Sequence, residues 1–159
     1  MRKLFRHDTE ITGSRRRLRL YLALSGLMIL VIFIFSMMSR ETSSEQSSWM
    51  SDLLAFFTGL DWEEWVVRKL AHFLEYALLG CFVAMALSQI AWRWTDALQL
   101  WLLSFAVGFL DESIQMLSGR GPAIVDVWLD ASGMLFGMGM TLLLVFMYQA
   151  FKQALQNIQ

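Results

Sequence analysis

Ten polar side chains in three short stretches are the part of this sequence that could do chemistry. Arg68, Lys69, His72 and Glu75 occupy one stretch, Asp111, Glu112 and Gln115 a second, and Arg120, Asp126 and Asp130 a third. Spacing organises them. Arg68, His72, Glu75 and Leu79 follow i, i+4, i+7, i+11, so a helix would carry them on one face. Asp111 and Gln115 are one helical turn apart, with Gly108 on the same side and Glu112 adjacent. Asp126, Asp130, Gly133 and Gly137 repeat the i, i+4, i+7, i+11 pattern, which gives an acidic stripe that continues into glycines suited to close helix packing. The chemistry open to such a set is specific. His72 with Glu75 could act as a general base and its orienting partner, or as two ligands one turn apart on a divalent cation. Asp111, Glu112 and Asp126 could complete an oxygen-rich cation site, while Arg68, Lys69 and Arg120 could hold a phosphate. The same groups would also serve as an ion-paired network that only locks helices together.

The elements that must position these residues are membrane helices. The 159 residues are 57% apolar and only 17% charged, against about 45–50% and about 25% in soluble domains. Residues 19–39, 70–90, 97–116 and 127–148 are apolar runs of spanning length, about 30 Å at 1.5 Å per residue. A secretory signal is a poorer reading of the first, because Ser36-Met37-Met38-Ser39 lacks a small-x-small exit. Pro122 falls between the third and fourth runs, where a missing donor does no harm to a helix. Cys81, the only cysteine, has no internal disulfide partner and reads as a packed apolar thiol. Glu75 lies about 9 Å along its helix from Lys69, below the interface, where a carboxylate is costly unless paired or protonated.

Charge placement gives an orientation. Arg2, Lys3, Arg6, Arg15, Arg16, Arg17, Arg19, Arg93 and Lys152 fall on one side of the predicted membrane, against Arg40, Arg68, Lys69 and Arg120 on the other. By the positive-inside rule both termini are cytoplasmic, and the polar set collects at the outer ends of three helices. The N-terminal arginines could also touch anionic lipid. A formal charge of −1 gives no general attraction to nucleic acid, and none is expected as a partner. Between the first two spans, Ser43–Ser48 is polar and turn-like. From Trp49 to Trp65, Leu53, Leu54, Phe56, Phe57, Leu60 and Trp62 are interspersed with acids, as in an amphipathic segment lying in the interface with tryptophans at head-group depth. Asp61 followed by Glu64 has the spacing of a capping box opening the second span.

These motifs resemble the VanZ-like family of small bacterial membrane proteins, named for a teicoplanin-resistance accessory protein. The residues that carry the resemblance are Lys69-x-x-His72-Phe73-x-Glu75-Tyr76-x-x-x-Gly80, Asp111-Glu112-x-x-Gln115, Gly119-Arg120, and Asp126 with Gly133 and Gly137. It implies an all-α integral membrane bundle of four transmembrane helices with an interfacial amphipathic outer loop. The corresponding division is a basic cytoplasmic segment 1–19, a four-helix domain 20–150 and a cytoplasmic tail 151–159. One departure is Asp130, where the family pattern implies Asn; an extra carboxylate makes the outer cluster more acidic. The departure at Gly121–Val125 is the lack of an acidic residue after the arginine.

The resemblance implies a cell-envelope protein that lowers susceptibility to lipoglycopeptide antibiotics. Two readings of the site follow. In the first, Arg68, Lys69, His72, Glu75, Tyr76, Asp111, Glu112, Gln115, Arg120, Asp126 and Asp130 form an outer pocket that binds an envelope lipid, a cell-wall precursor or a membrane-protein partner, without catalysis. In the second, His72, Glu75, Asp111, Glu112 and Asp126 are the catalytic groups, or the ligands of a divalent cation, in an enzyme acting on a lipid-linked substrate. No resident cofactor is expected. A proton- or ion-coupled carrier fits less well, since no broken-helix pair is visible.

Overall fold

A computed structural model describes residues 11–119 and 123–157, and in these residues the chain is all-helical. Five helices follow in order: α1 (Arg15–Ser36), α2 (Arg40–Thr58), α3 (Glu64–Leu87), α4 (Trp94–Leu117) and α5 (Ile124–Gln156). Of these, α1, α3, α4 and α5 are long and apolar enough to cross a membrane. Helices α4 and α5 contain the apolar runs 97–116 and 127–148 and extend beyond them, whereas α1 and α3 begin ahead of the runs 19–39 and 70–90 and end before they do, at Ser36 and Leu87. The 33-residue α5 is about 50 Å long, well over the hydrocarbon thickness of about 30 Å, because Gln149–Gln156 consists mostly of good helix formers.

The helices run up and down, so alternate ends meet. Ser14 caps α1, accepting a hydrogen bond from the Arg17 amide at 3.4 Å. The Gly13 and Ser14 amides donate to the main-chain and side-chain oxygens of Gln89, at 2.9 and 3.2 Å, which fixes the start of α1 against the end of α3. At the opposite end the C-termini of α1 and α4 meet the N-termini of α3 and α5. Chain direction alone thus carries residues 36, 68–76, 111–118 and 126–130 to one end of the bundle.

The closest-packed pair is α3 with α5. Its seam is built on small residues. A Cβ at Gly80 would strike the Met134 carbonyl, one at Gly133 the Phe73 carbonyl, and one at Gly137 the Ala77 carbonyl. Each obstacle is main chain, so the two helices hold this spacing only with glycine at these positions. Tyr76, Leu79, Met134 and Ile32 form the buried core beside the seam. Trp101 of α4 donates Nε1–H to the Ala131 carbonyl at 2.8 Å and so ties α4 to α5. Cys81 is half-buried, its thiol 3.6 Å from the Gly137 carbonyl.

The connection between α1 and α3 differs from the sequence expectation in two places. Ser43–Ser48 lies within α2 instead of a turn. Ser39 is the N-cap, accepting from the Thr42 amide at 3.3 Å, and the helix then turns Ser43 and Ser47 inward, where both are buried. Burial of that face outweighs the weak helix propensity of serine. Gly59, in the left-handed conformation at φ 69°, ends α2 as a C-cap. The second correction is at α3, whose N-cap is Glu63 with no side-chain cap; Asp61 lies outside the helix start. Trp49, Phe56, Phe57 and Trp65 all project outward.

Candidate functional site

The polar end of the bundle is built around Asp111. This carboxylate has no solvent exposure, and leaving such a group unpaired in an apolar surrounding would cost several kcal/mol. Among the described residues, its partners come from three helices. The Ser36 hydroxyl of α1 lies against Asp111 Oδ1 and against the Ile32 carbonyl, and Gln115 donates Nε2–H to Asp111 Oδ2 at 3.0 Å. Ser118 then donates to the Ser36 carbonyl at 2.9 Å, so α1 and α4 are joined twice at this end. From α3, His72 Nδ1 lies 3.9 Å from Asp111 Oδ2 and 4.0 Å from Glu75 Oε2. The histidine therefore stands between two carboxylates, one on its own helix and one across the interface.

Around this centre the other acids have separate positions. Glu112 is buried and accepts the Ala123 amide at 2.7 Å, a bond that tethers the chain entering α5. Asp126 pairs with Lys69 at 2.6 Å on the half-exposed rim. Asp130 is fully buried beside Gly108, and neither of its oxygens has a hydrogen-bond partner among the described residues. The same is true of the Tyr76 hydroxyl. Asp111, Glu112, Asp126 and Glu75 all act electrostatically on Asp130, so the five carboxylates share one field.

A cavity of about 90 Å³ opens next to this network, between α2 and α3. Arg68, His72 and Glu75 line its α3 side, and Ser43, Gln46 and Ser47 its α2 side. Arg68 is the fixed cation there. Its Nε is buried and has no hydrogen-bond partner among the described residues. A guanidinium with an unmet donor on the wall of a cavity that Phe35, Met50, Val67 and Ala71 otherwise make apolar suits a carboxylate or phosphate oxygen.

Among the described residues no three His, Cys, Asp or Glu side chains are arranged to hold a metal ion. Asp126 faces Lys69, Glu112 is turned toward the Ala123 amide, and only His72, Glu75 and Asp111 come together, near 4 Å.

A family model described as VanZ/LLP1 matches residues 21–147. The chain belongs to the VanZ/LLP1 family. No curated protein and no solved structure matches it. The match takes in all the polar residues just described, together with the whole of α3 and α4 and most of α1 and α5.

Most of the site residues expected from sequence lie at this one end of the VanZ/LLP1 bundle. Arg68, His72 and Glu75 share the cavity wall; Asp111 and Gln115 bond to each other; Lys69 joins Asp126; Tyr76 and Asp130 are buried in the core. Arg120 lies outside the described residues. Four contributors were missed: Ser36 beneath Asp111, and Ser43, Gln46 and Ser47 on the cavity wall. For Ser36 a signal existed, since Ser25, Ile29, Ile32 and Ser36 fall at i, i+4, i+7, i+11 and mark the buried face of α1. For the α2 residues, recognising Ser39 as an N-cap would have turned a supposed loop into a helix with an inward polar face.

Proposed function

We propose that this VanZ/LLP1 protein is a non-catalytic accessory protein of the bacterial cell envelope, contributing to teicoplanin and lipoglycopeptide resistance. The cavity beside Arg68, His72 and Glu75 binds the anionic head group of an envelope lipid or cell-wall precursor. Arg68 is the observation that carries this reading: a guanidinium on the cavity wall, with a buried and unmet Nε donor, beside His72 and Glu75. The network around Asp111 then acts as the support that fixes His72, and α2 closes the cavity from the membrane surface. In this account both termini are cytoplasmic and the site faces outward, as the distribution of cations favours.

The binding test uses purified full-length protein incubated with a lipid-linked, phosphate-bearing cell-wall precursor and examined by native mass spectrometry. The wild type should retain the precursor. Arg68→Gln should lose it while keeping its thermal stability, and retention equal to wild type would overturn the assignment. For orientation, Glu45→Cys on the exposed face of α2 should react with an impermeant thiol reagent on intact cells. Labelling only after lysis would reverse the topology.

A second reading has one observation in its favour, the position of His72 between Glu75 and Asp111. That arrangement also suits a general base with an orienting carboxylate in an intramembrane enzyme acting on a lipid-linked substrate. Turnover separates the two. A mass-shifted product from labelled envelope lipids, compared with and without chelator, would move the assignment to catalysis.

A further inference from the structure

At the end of the bundle opposite the polar site, α1 and α4 separate. Their junction is closed at one end by the Ser36–Asp111 and Ser118–Ser36 bonds and opens toward residue 11 at the other. The result is a blind groove of about 450 Å³, floored by Leu79, Val83 and Met134. Along α1 it runs from Leu18 to Ile29, about 16 Å at 1.5 Å per residue. That is the depth of one leaflet, half of a hydrocarbon core of about 30 Å. The walls offer an occupant no spare donor at Ser25, whose hydroxyl is already bonded to the Tyr21 carbonyl at 2.9 Å.

The mouth of the groove is basic. Within α1, Arg15 precedes the groove-lining Leu18 and Leu22 by three and seven residues, so it stands on the groove face of the helix, with Arg19 one turn further in. Both side chains are exposed. Trp94, the first residue of α4, and Trp92 just before it are exposed near the same end, the depth at which aromatic residues meet lipid head groups.

We propose that this groove is a binding site for one anionic phospholipid of the leaflet at the basic end, with an acyl chain between α1 and α4 and the phosphate held by Arg15 and Arg19. A partner helix fits less well, because it would need the full membrane depth and the groove closes after one leaflet. The site is independent of the polar cavity and of its proposed ligand.

The experiment uses delipidated full-length protein in detergent, titrated with phosphatidylglycerol or with phosphatidylcholine of the same acyl chains. Native mass spectrometry and thermal unfolding are the readouts. One phosphatidylglycerol per chain should be retained and should raise the melting temperature, with phosphatidylcholine much weaker. Leu103→Trp, which fills the groove from α4, should abolish retention. Leu102→Trp, on the adjacent lipid-facing position outside the groove, should leave it unchanged. Leu22→Trp fills the groove from the opposite wall and gives the same readout if Leu103→Trp lowers stability. Replacing Arg15 and Arg19 together by Ala should weaken phosphatidylglycerol binding about 30-fold at low salt. Equal retention of the two lipids, or equal effects of Leu102→Trp and Leu103→Trp, would overturn the proposal. So would a second copy of the chain seated in the groove instead of lipid.

Discussion

Gly137→Ala and Gly139→Ala place the same methyl group two residues apart on α5, and the structure predicts opposite results. At Gly137 the new Cβ would meet the Ala77 carbonyl group, with the Ala77 Cα 2.9 Å away. The main chain of α3 cannot rotate aside as a side chain could. The helices must separate, which typically costs about 1–3 kcal/mol for an overpacked contact. In a chain of this size each kcal/mol corresponds to about 2–4 °C in melting temperature, so the loss should be about 2–12 °C. At Gly139 a Cβ would meet nothing within 4 Å, and the greater helix propensity of Ala makes the change neutral or stabilising by up to about 1 kcal/mol. Thermal unfolding of both variants in one detergent or nanodisc preparation measures the difference directly. Ala77→Gly should not rescue Gly137→Ala, because the obstacle is backbone. Equal melting temperatures for the two alanine variants, or rescue by Ala77→Gly, would refute the close approach of α3 and α5.

Four further substitutions test how the polar end is held. Ser36→Ala removes a hydroxyl from buried Asp111 and should cost about 1–3 kcal/mol, the usual range for removing one partner of a buried hydrogen bond, measured as lost thermal stability. Asp111→Asn should destabilise more than Asp130→Asn by about 1–3 kcal/mol, since Asp111 accepts from Gln115 and contacts Ser36 while Asp130 has no hydrogen-bond partner among the described residues; the comparison is made by parallel melts. Lys69→Ala breaks only a half-exposed pair with Asp126 and should cost at most about 1 kcal/mol, less at high salt, as a salt series would show.

Much of the candidate site could be read from spacing because a helix converts sequence intervals into faces. Arg68, His72 and Glu75 share a cavity wall for that reason, and Asp126, Asp130, Gly133 and Gly137 follow one side of α5. What spacing could not give was contact between elements. Ser36 ends an apolar run and looks unremarkable until α4 brings Asp111 against it. The segment 43–48 has the composition of a turn, and becomes helical because Ser39 caps it and α3 buries Ser43 and Ser47. Asp61 had the spacing of a cap, but α3 starts later, at Glu64 with Glu63 as its N-cap. The gap between α1 and α4 left no mark in the sequence, since the residues lining it look like any lipid-facing Leu, Ile and Val.

The central claim is that the cavity beside His72 binds an anionic head group through Arg68. Its most direct test is native mass spectrometry of wild type and Arg68→Gln after exposure to a lipid-linked, phosphate-bearing cell-wall precursor. The wild type should retain the precursor, and the variant should bind it about tenfold more weakly or worse at unchanged melting temperature. Equal retention by both proteins would contradict it.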